Sequence, residues 1–223
     1  MTVANTSPTE DNTVADAVAR SLRTMIGSGE MRAGDAIVIE RTAHALGVST
    51  QPVREALKIL EAEGRVSHSA HRGVSVLALS REELWELYQI RHLLEGEAIR
   101  RSVERFDPAA IDELEALTAA MHEAAETGGP DEMQDLNRRF HEVLRSFNDN
   151  TRLDGLVVQL RASSAPYRRR YLEQRVRWPE LVIHHQTIVD ALRVGDLDAV
   201  LDSAKRQRLL TVEALGDDVD AGL

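Results

Sequence analysis

Between Arg41 and Leu60 the chain sets out side chains that read nucleic acid. Thr50, Gln51, Arg54 and Lys58 fall on one side of a helical wheel, and Val53, Ala56, Leu57 and Leu60 share the other, because each residue of a helix turns about 100°. Arginine suits guanine edges or phosphate, glutamine suits adenine, and Ser or Thr hydroxyls suit phosphate or either base. A helix N-terminus favours phosphate as well. Ahead of this stretch, Arg41 to Leu46 forms a short amphipathic segment, Gly47 suits a turn with positive φ, and Ser49 or Thr50 can cap the helix that follows. The order is helix, turn, helix. On these residues alone, a DNA-reading helix and an ordinary solvated face of a small helical unit stand level.

The elements around this stretch are legible. Val66, Val74, Val76 and Leu77 to Leu79 change the periodicity to two, with Ala70-His71-Arg72-Gly73 at a glycine turn. This predicts a short hairpin between residues 64 and 79. As a wing, the hairpin would put Arg72 on phosphate or in the minor groove beside His71, with Gly73 allowing close backbone approach. Helix starts are marked by Ser7-Pro8 with Glu10, Asp107-Pro108, Gly129-Pro130 and Trp178-Pro179, and by the capping-box pair Ser80 and Glu83. The expected helices of the second unit are 80–105, 108–126, 130–148, 152–173, 178–194 and 196–214, and the terminal GDDVDAGL reads as a frayed tail. The class is mainly α, with a three-helix-plus-hairpin unit over 1–79 and an all-helical unit over 80–223.

Composition narrows the function. The chain has 223 residues with 27 basic and 37 acidic side chains, a net charge of −10. That argues against a sequence-blind nucleic-acid coat or a polybasic membrane binder. The acidity is uneven, because residues 1–79 hold 8 basic against 9 acidic groups and residues 41–72 hold 5 against 3. The absence of cysteine removes disulfides, thiolate metal sites and thiol nucleophiles, and fits a cytoplasmic protein. No apolar run approaches the roughly 18 residues of a membrane span. An enzyme is not expected. His141-Glu142-Val143-Leu144-Arg145 lacks the second histidine of a zincin helix, and neither G-x-S-x-G nor G-x-x-x-x-G-K occurs. The competing class is a helical metal- or acid-binding protein whose first unit serves protein contacts.

Val14 to Leu79 resembles the winged-helix domain of the GntR family of bacterial transcription regulators. The resemblance lies in Gly47-Val48-Ser49, Pro52-Val53-Arg54-Glu55-Ala56-Leu57, Leu60-Glu61-x-Glu63-Gly64 and Arg72-Gly73-x-x-Val76. It implies operator DNA as partner, contacted by Arg41, Ser49, Thr50, Gln51, Arg54, Lys58, His71, Arg72 and Gly73. Two positions depart from the family. Thr50 stands where arginine is common, which shifts readout toward Arg41, Gln51 and Arg54. Ala33 stands where proline is common in the preceding loop.

Residues 80–223 resemble the FCD effector domain of the FadR-type branch, through Glu82-x-x-Trp85-Glu-Leu-Tyr-Gln-Ile-Arg91, Leu136-Asn-Arg-Arg-Phe-His141, Asn150-x-x-Leu153 and His185-x-x-Ile188. The resemblance implies an antiparallel bundle of six or seven helices, a homodimer, and control of DNA binding by a small organic acid. It also places a family metal site at Asn137, His141, His185 and Gln207. Two of these are neutral amides, poor ligands for zinc or nickel. Three readings stay open: a divalent metal on His141, His185 and Asn137, an organic effector hydrogen-bonded by all four, or satisfied polar groups in a bundle core. Arg91, where the family tends to carry arginine, either binds an effector carboxylate or forms a weak surface pair with Glu95. Tyr167-Arg-Arg-Arg-Tyr171 reads as a solvated helix face or a dimer contact ahead of a second nucleic-acid patch.

Overall fold

A computed structural model describes residues 13–69 and 73–220. The first helices are α1 (Val14–Ser28), α2 (Ile39–Leu46) and α3 (Thr50–Ala62). α1 opens on a capping box between Thr13 and Asp16, while Ser7, Pro8 and Glu10 lie outside the described residues. Gly47 ends α2 in the left-handed conformation (φ 66°), as the turn requires. Val53, Ala56, Leu57 and Leu60 bury one face of α3 against Val18, Ala19, Leu22 and Ile26 of α1 in a common apolar cluster.

The hairpin is β1 (Val66–Ser69) paired antiparallel with β2 (Gly73–Val76), Val66 opposite Val76 and Ser69 opposite Gly73. It is shorter than the alternation suggested: the last strand pair is Val66 and Val76, Leu77 keeps one amide bond to the Arg65 carbonyl (2.9 Å), and Ala78 to Ser80 run to the next helix. A bridge that alternation did not announce backs the wing. Ala36 pairs with Ser75, and the Ile37 amide donates to the Val74 carbonyl at 2.8 Å.

Seven helices follow: α4 (Arg81–Val103), α5 (Pro108–Thr127), α6 (Pro130–Arg145), α7 (Thr151–Ser163), α8 (Ala165–Glu173), α9 (Trp178–Val194) and α10 (Leu197–Asp220). Ser80 and Glu83 form the expected capping box, and Asp107 caps α5. The helix expected over 152–173 is broken at Ser164, where Pro166 supplies no amide hydrogen and α8 leaves in a new direction. α10 continues as helix through Asp220, past the expected end at 214. Leu84, Leu114, Met121, Phe140, Trp178 and Val200 centre the bundle core, and Ala33 of the α1–α2 loop packs into it.

The two helical regions touch at several points. Gln134 Nε2 donates to the Gly27 carbonyl (3.0 Å), Gln159 Nε2 to the Ala62 carbonyl (3.1 Å), and the Leu79 amide to the Tyr167 hydroxyl (2.5 Å). Gly64, at φ 67°, lies so close to Ser163 that a Cβ there would come within 2.5 Å of the serine hydroxyl. Among the described residues no helix is long and apolar enough to cross a membrane.

Candidate functional site

On the first face, α3 presents what the periodicity predicts. Thr50, Gln51, Arg54 and Lys58 are exposed, as are Arg41 on α2 and Ser49. Ser49 is the N-cap residue of α3, yet its side chain makes no capping bond, so the hydroxyl and the helix N-terminus stay open toward a phosphate. Gln51 donates to Glu55 at 3.0 Å. A groove between α3 and the wing is lined by Gln51, Arg54, Lys58 and His68. Gly73 is exposed at the start of β2, with φ 73°. His71 and Arg72 lie outside the described residues. Arg65 is withdrawn from this surface, because Glu63 accepts from both Arg65 and Arg23.

The second site lies inside the bundle. Asn137 and His141, one turn apart on α6, share a small cavity of about 30 Å³ with Arg91 of α4 and Gln207 of α10. His185 of α9 is fully buried behind them, its ring centroid 5.6 Å from that of His141, and is not part of the cavity wall. Its Nδ1 lies 2.8 Å from the Leu181 carbonyl, which assigns the ring proton there, and Gln207 Nε2 reaches Nε2 at 3.0 Å. Burial pushes the His185 imidazole down to about 4. Burial, with Arg161 and His185 alongside, holds His141 well below the usual histidine range. Both rings are neutral at physiological pH.

Arg91 resolves the two expectations held for it in an unforeseen way. It pairs with Glu95 (Nε to Oε1, 2.8 Å), but both side chains are buried, so this is no surface pair. Its guanidinium also donates to Ser164 Oγ at 3.0 Å, stacks over the Tyr88 ring at 4.4 Å and lines the cavity. Three further arginines line the same cavity: Arg161, Arg168 and Arg208. Glu95 Oε2 accepts from Arg161 at 3.2 Å and lies 3.6 Å from Arg208 Nη1. Although burial would raise it, Arg91, Arg161 and Arg208 hold the Glu95 carboxyl well below the usual carboxylate range. Burial lowers Arg161 to about 9 and Arg168 to about 10, still charged near neutrality.

Tyr167 to Tyr171 is therefore not a solvated face. Both tyrosines are buried, Arg168 turns to the cavity, and only Arg170 is exposed. Arg169 pairs with Asp131 and Glu173. The residue types missed from sequence share one signal, a charged side chain on a helix stripe otherwise buried. Arg161 follows Leu153 and Val157 at four-residue steps, and Arg208 follows Val200 and Ala204.

The donor set does not fit a divalent metal. Two neutral imidazoles and two amides supply no anionic ligand, and among the described residues no three His, Cys, Asp or Glu side chains converge. The nearby carboxylate, Glu95, is already shared among guanidiniums, whose charge opposes a cation.

Family models match both regions of the chain. Residues 14–76 match the gntR family of bacterial regulatory proteins, and residues 86–206 match the FCD domain. The chain is 32% identical over 137 residues to the uncharacterized HTH-type transcriptional regulator YdhC of Bacillus subtilis; the match spans 61% of each chain, under two thirds of YdhC. It is 26% identical over 182 residues to the HTH-type transcriptional regulator McbR of Escherichia coli, covering 80% of this chain and 82% of McbR. The E. coli McbR/YncC structure superposes with a TM-score of 0.79 at 22% identity, covering 92% of this chain and 98% of the other. A GntR-type regulator from Rhodococcus sp. RHA1 superposes at 0.73 with 25% identity, covering 94% and 98%. These relatives are regulators rather than enzymes. The chain belongs to the GntR family of bacterial transcription regulators, with a winged helix-turn-helix ahead of an FCD effector-binding domain.

Proposed function

We propose that the chain is a ligand-responsive regulator that acts in the cytoplasm as a homodimer on a pseudo-palindromic operator. Residues 1–79 form its DNA-binding unit and residues 80–223 its effector and dimerisation unit. Arg41, Ser49, Thr50, Gln51, Arg54 and Lys58 contact the operator, with His71, Arg72 and Gly73 contributing from the wing. A small organic carboxylate enters the bundle cavity against Arg91, Asn137, His141 and Gln207, with His185 orienting Gln207, and its binding changes DNA affinity.

The observation that carries this reading is a buried cavity whose polar atoms lack partners. Among the described residues Tyr88 Oη, Tyr171 Oη, Asn137 Oδ1, Gln207 Oε1 and Arg208 Nε and Nη1 make no hydrogen bond. Buried polar groups are nearly always paired, so an internal cluster of this size calls for a polar occupant. Support for a route to the DNA-binding unit comes from α8, where Arg168 lines the cavity and the preceding Tyr167 accepts from Leu79. Support for the dimer comes from Ile90 and Leu93 on α4 and Leu156 on α7, exposed apolar side chains beside the contact between those helices.

The test is a gel shift with palindromic fragments from the DNA beside the gene, with and without organic acids, alongside sedimentation of the complex. Specific binding by a dimer that an acid alters supports the reading. No specific binding at any salt concentration, with or without acids, sinks it.

A further inference from the structure

The cavity wall holds four guanidiniums and no carboxylate. Glu95, set behind the wall, neutralises one positive charge and is shared among Arg91, Arg161 and Arg208. Among the described residues Arg168 has no acidic partner and donates only to the Arg161 carbonyl (2.6 Å) and Ser164 Oγ (2.8 Å). Arg208 is buried with no hydrogen bond at Nε or Nη1 among the described residues; Nη1 has only the 3.6 Å ion pair with Glu95, and Nη2 lies 3.3 Å from His92 Nδ1. Arginine does not shed its proton to escape such a place. Burying charge without a partner costs far more than burying a neutral group, so the surplus needs counter-charge.

Resting on the effector reading of this cavity, we propose that its ligand is a compact anion carrying at least two negative charges, held directly by Arg208, Arg168 and Arg161 without a metal ion. One carboxylate would leave much of the surplus in place, and a dianion offsets more of it. The enclosed space is small, about 30 Å³, so only a short chain suits it and wall side chains must shift to admit one. Tyr88, Tyr171 and Arg208 offer donors to such an anion. Asn137 and Gln207 offer acceptors that suit a hydroxyl or protonated group on the same molecule. A divalent cation would add to the surplus rather than relieve it.

Succinate and butyrate share a four-carbon chain and differ by one charge, so they isolate the effect. Calorimetric titration and thermal shift of the full-length protein in EDTA would use both acids, inorganic phosphate, and zinc chloride in a separate series without chelator. The expected result is binding of succinate at least about tenfold tighter than butyrate, with a matching rise in melting temperature, unchanged by EDTA. Phosphate binding as tightly as succinate assigns the site to phosphoryl dianions, and weaker binding assigns it to dicarboxylates; both support the charge requirement. Arg208→Gln is expected to lose that preference about tenfold while folding as the parent does. Arg168→Gln, at a less buried position, is the second variant should the first fail to fold. Equal affinity for the two acids, binding that appears only with zinc, or no binding by any of these anions overturns the proposal. Operator affinity measured with the same acids separates the two readings. Release by butyrate as effective as by succinate keeps the effector reading and removes this one. Tight succinate binding with no change in operator affinity does the reverse.

Discussion

The Tyr167 hydroxyl accepts the backbone amide hydrogen of Leu79 at 2.5 Å, tying α8 to the segment that leaves the wing. Arg168, the next residue, lines the bundle cavity. One short helix thus touches both the bundle cavity and the junction between the winged-helix and FCD regions. Tyr167→Phe removes the bond and keeps the ring in its buried place, at a stability cost of about 1 kcal/mol. Ligand affinity should change less than about twofold, whereas the effect of ligand on operator affinity, for which roughly 5–150-fold is usual, should shrink several-fold. Paired fluorescence-anisotropy titrations measure both, and an unchanged coupling factor would show that α8 is no relay.

Arg54 is exposed one turn into α3 and has no protein partner among the described residues, so its guanidinium is free for DNA. Arg54→Ala should abolish selection of the operator over random DNA at moderate salt. If the lost contact is to phosphate, the slope of log affinity against log salt falls by about 0.9. Anisotropy at several salt concentrations reads both quantities; near-parental affinity and selectivity would remove α3 as the recognition helix.

Glu95 is the acid to which three buried arginines turn, and Glu95→Gln keeps its shape while removing its charge. Leaving buried charges without their partner costs about 3–5 kcal/mol, so the urea midpoint should fall steeply. Succinate should restore part of the loss if it occupies the cavity. A variant as stable as the parent would mean that the surplus is already relieved by other means.

His185 is held at about 4 by burial, against an ordinary value of 6.5. In the window between these values the unfolded chain binds the extra proton and the folded chain does not. Its contribution is therefore complete above pH 6.5 and is lost as the pH falls toward about 4. At about 1.4 kcal/mol per unit, the loss reaches roughly 3 kcal/mol at its fullest. His141, also held low, acts in the same direction. Urea denaturation at pH 7.5 and pH 5 should show the decline, flattened in His185→Gln. Stability greater at pH 5 than at pH 7.5 would contradict the assignment.

Much of the fold was legible because its signals are local. The Ser80–Glu83 box, Asp107 before Pro108, and Gly47 at positive φ act within a turn or two, and they mark ends that the structure keeps. The alternating faces of α3 follow from helical periodicity, as does the exposure of Arg54 and Lys58. Leu77 to Leu79 misled because alternation continues past the last residue with a strand partner, and pairing is not a property of one segment. The run 152–173 misled because its composition favours one helix, and the turn at Ser164 depends on what α8 must pack against.

By itself, the sequence determined a helix-turn-helix, a short hairpin and a mainly helical remainder, since capping, periodicity and turn chemistry operate between near neighbours. Only the tertiary structure decided that Arg91, Arg161 and Arg208 meet around Glu95, and that Asn137, His141 and Gln207 share a cavity with these guanidiniums and Arg168. Charge balance and burial are sums over residues far apart in the chain, and no stretch of it carries them alone.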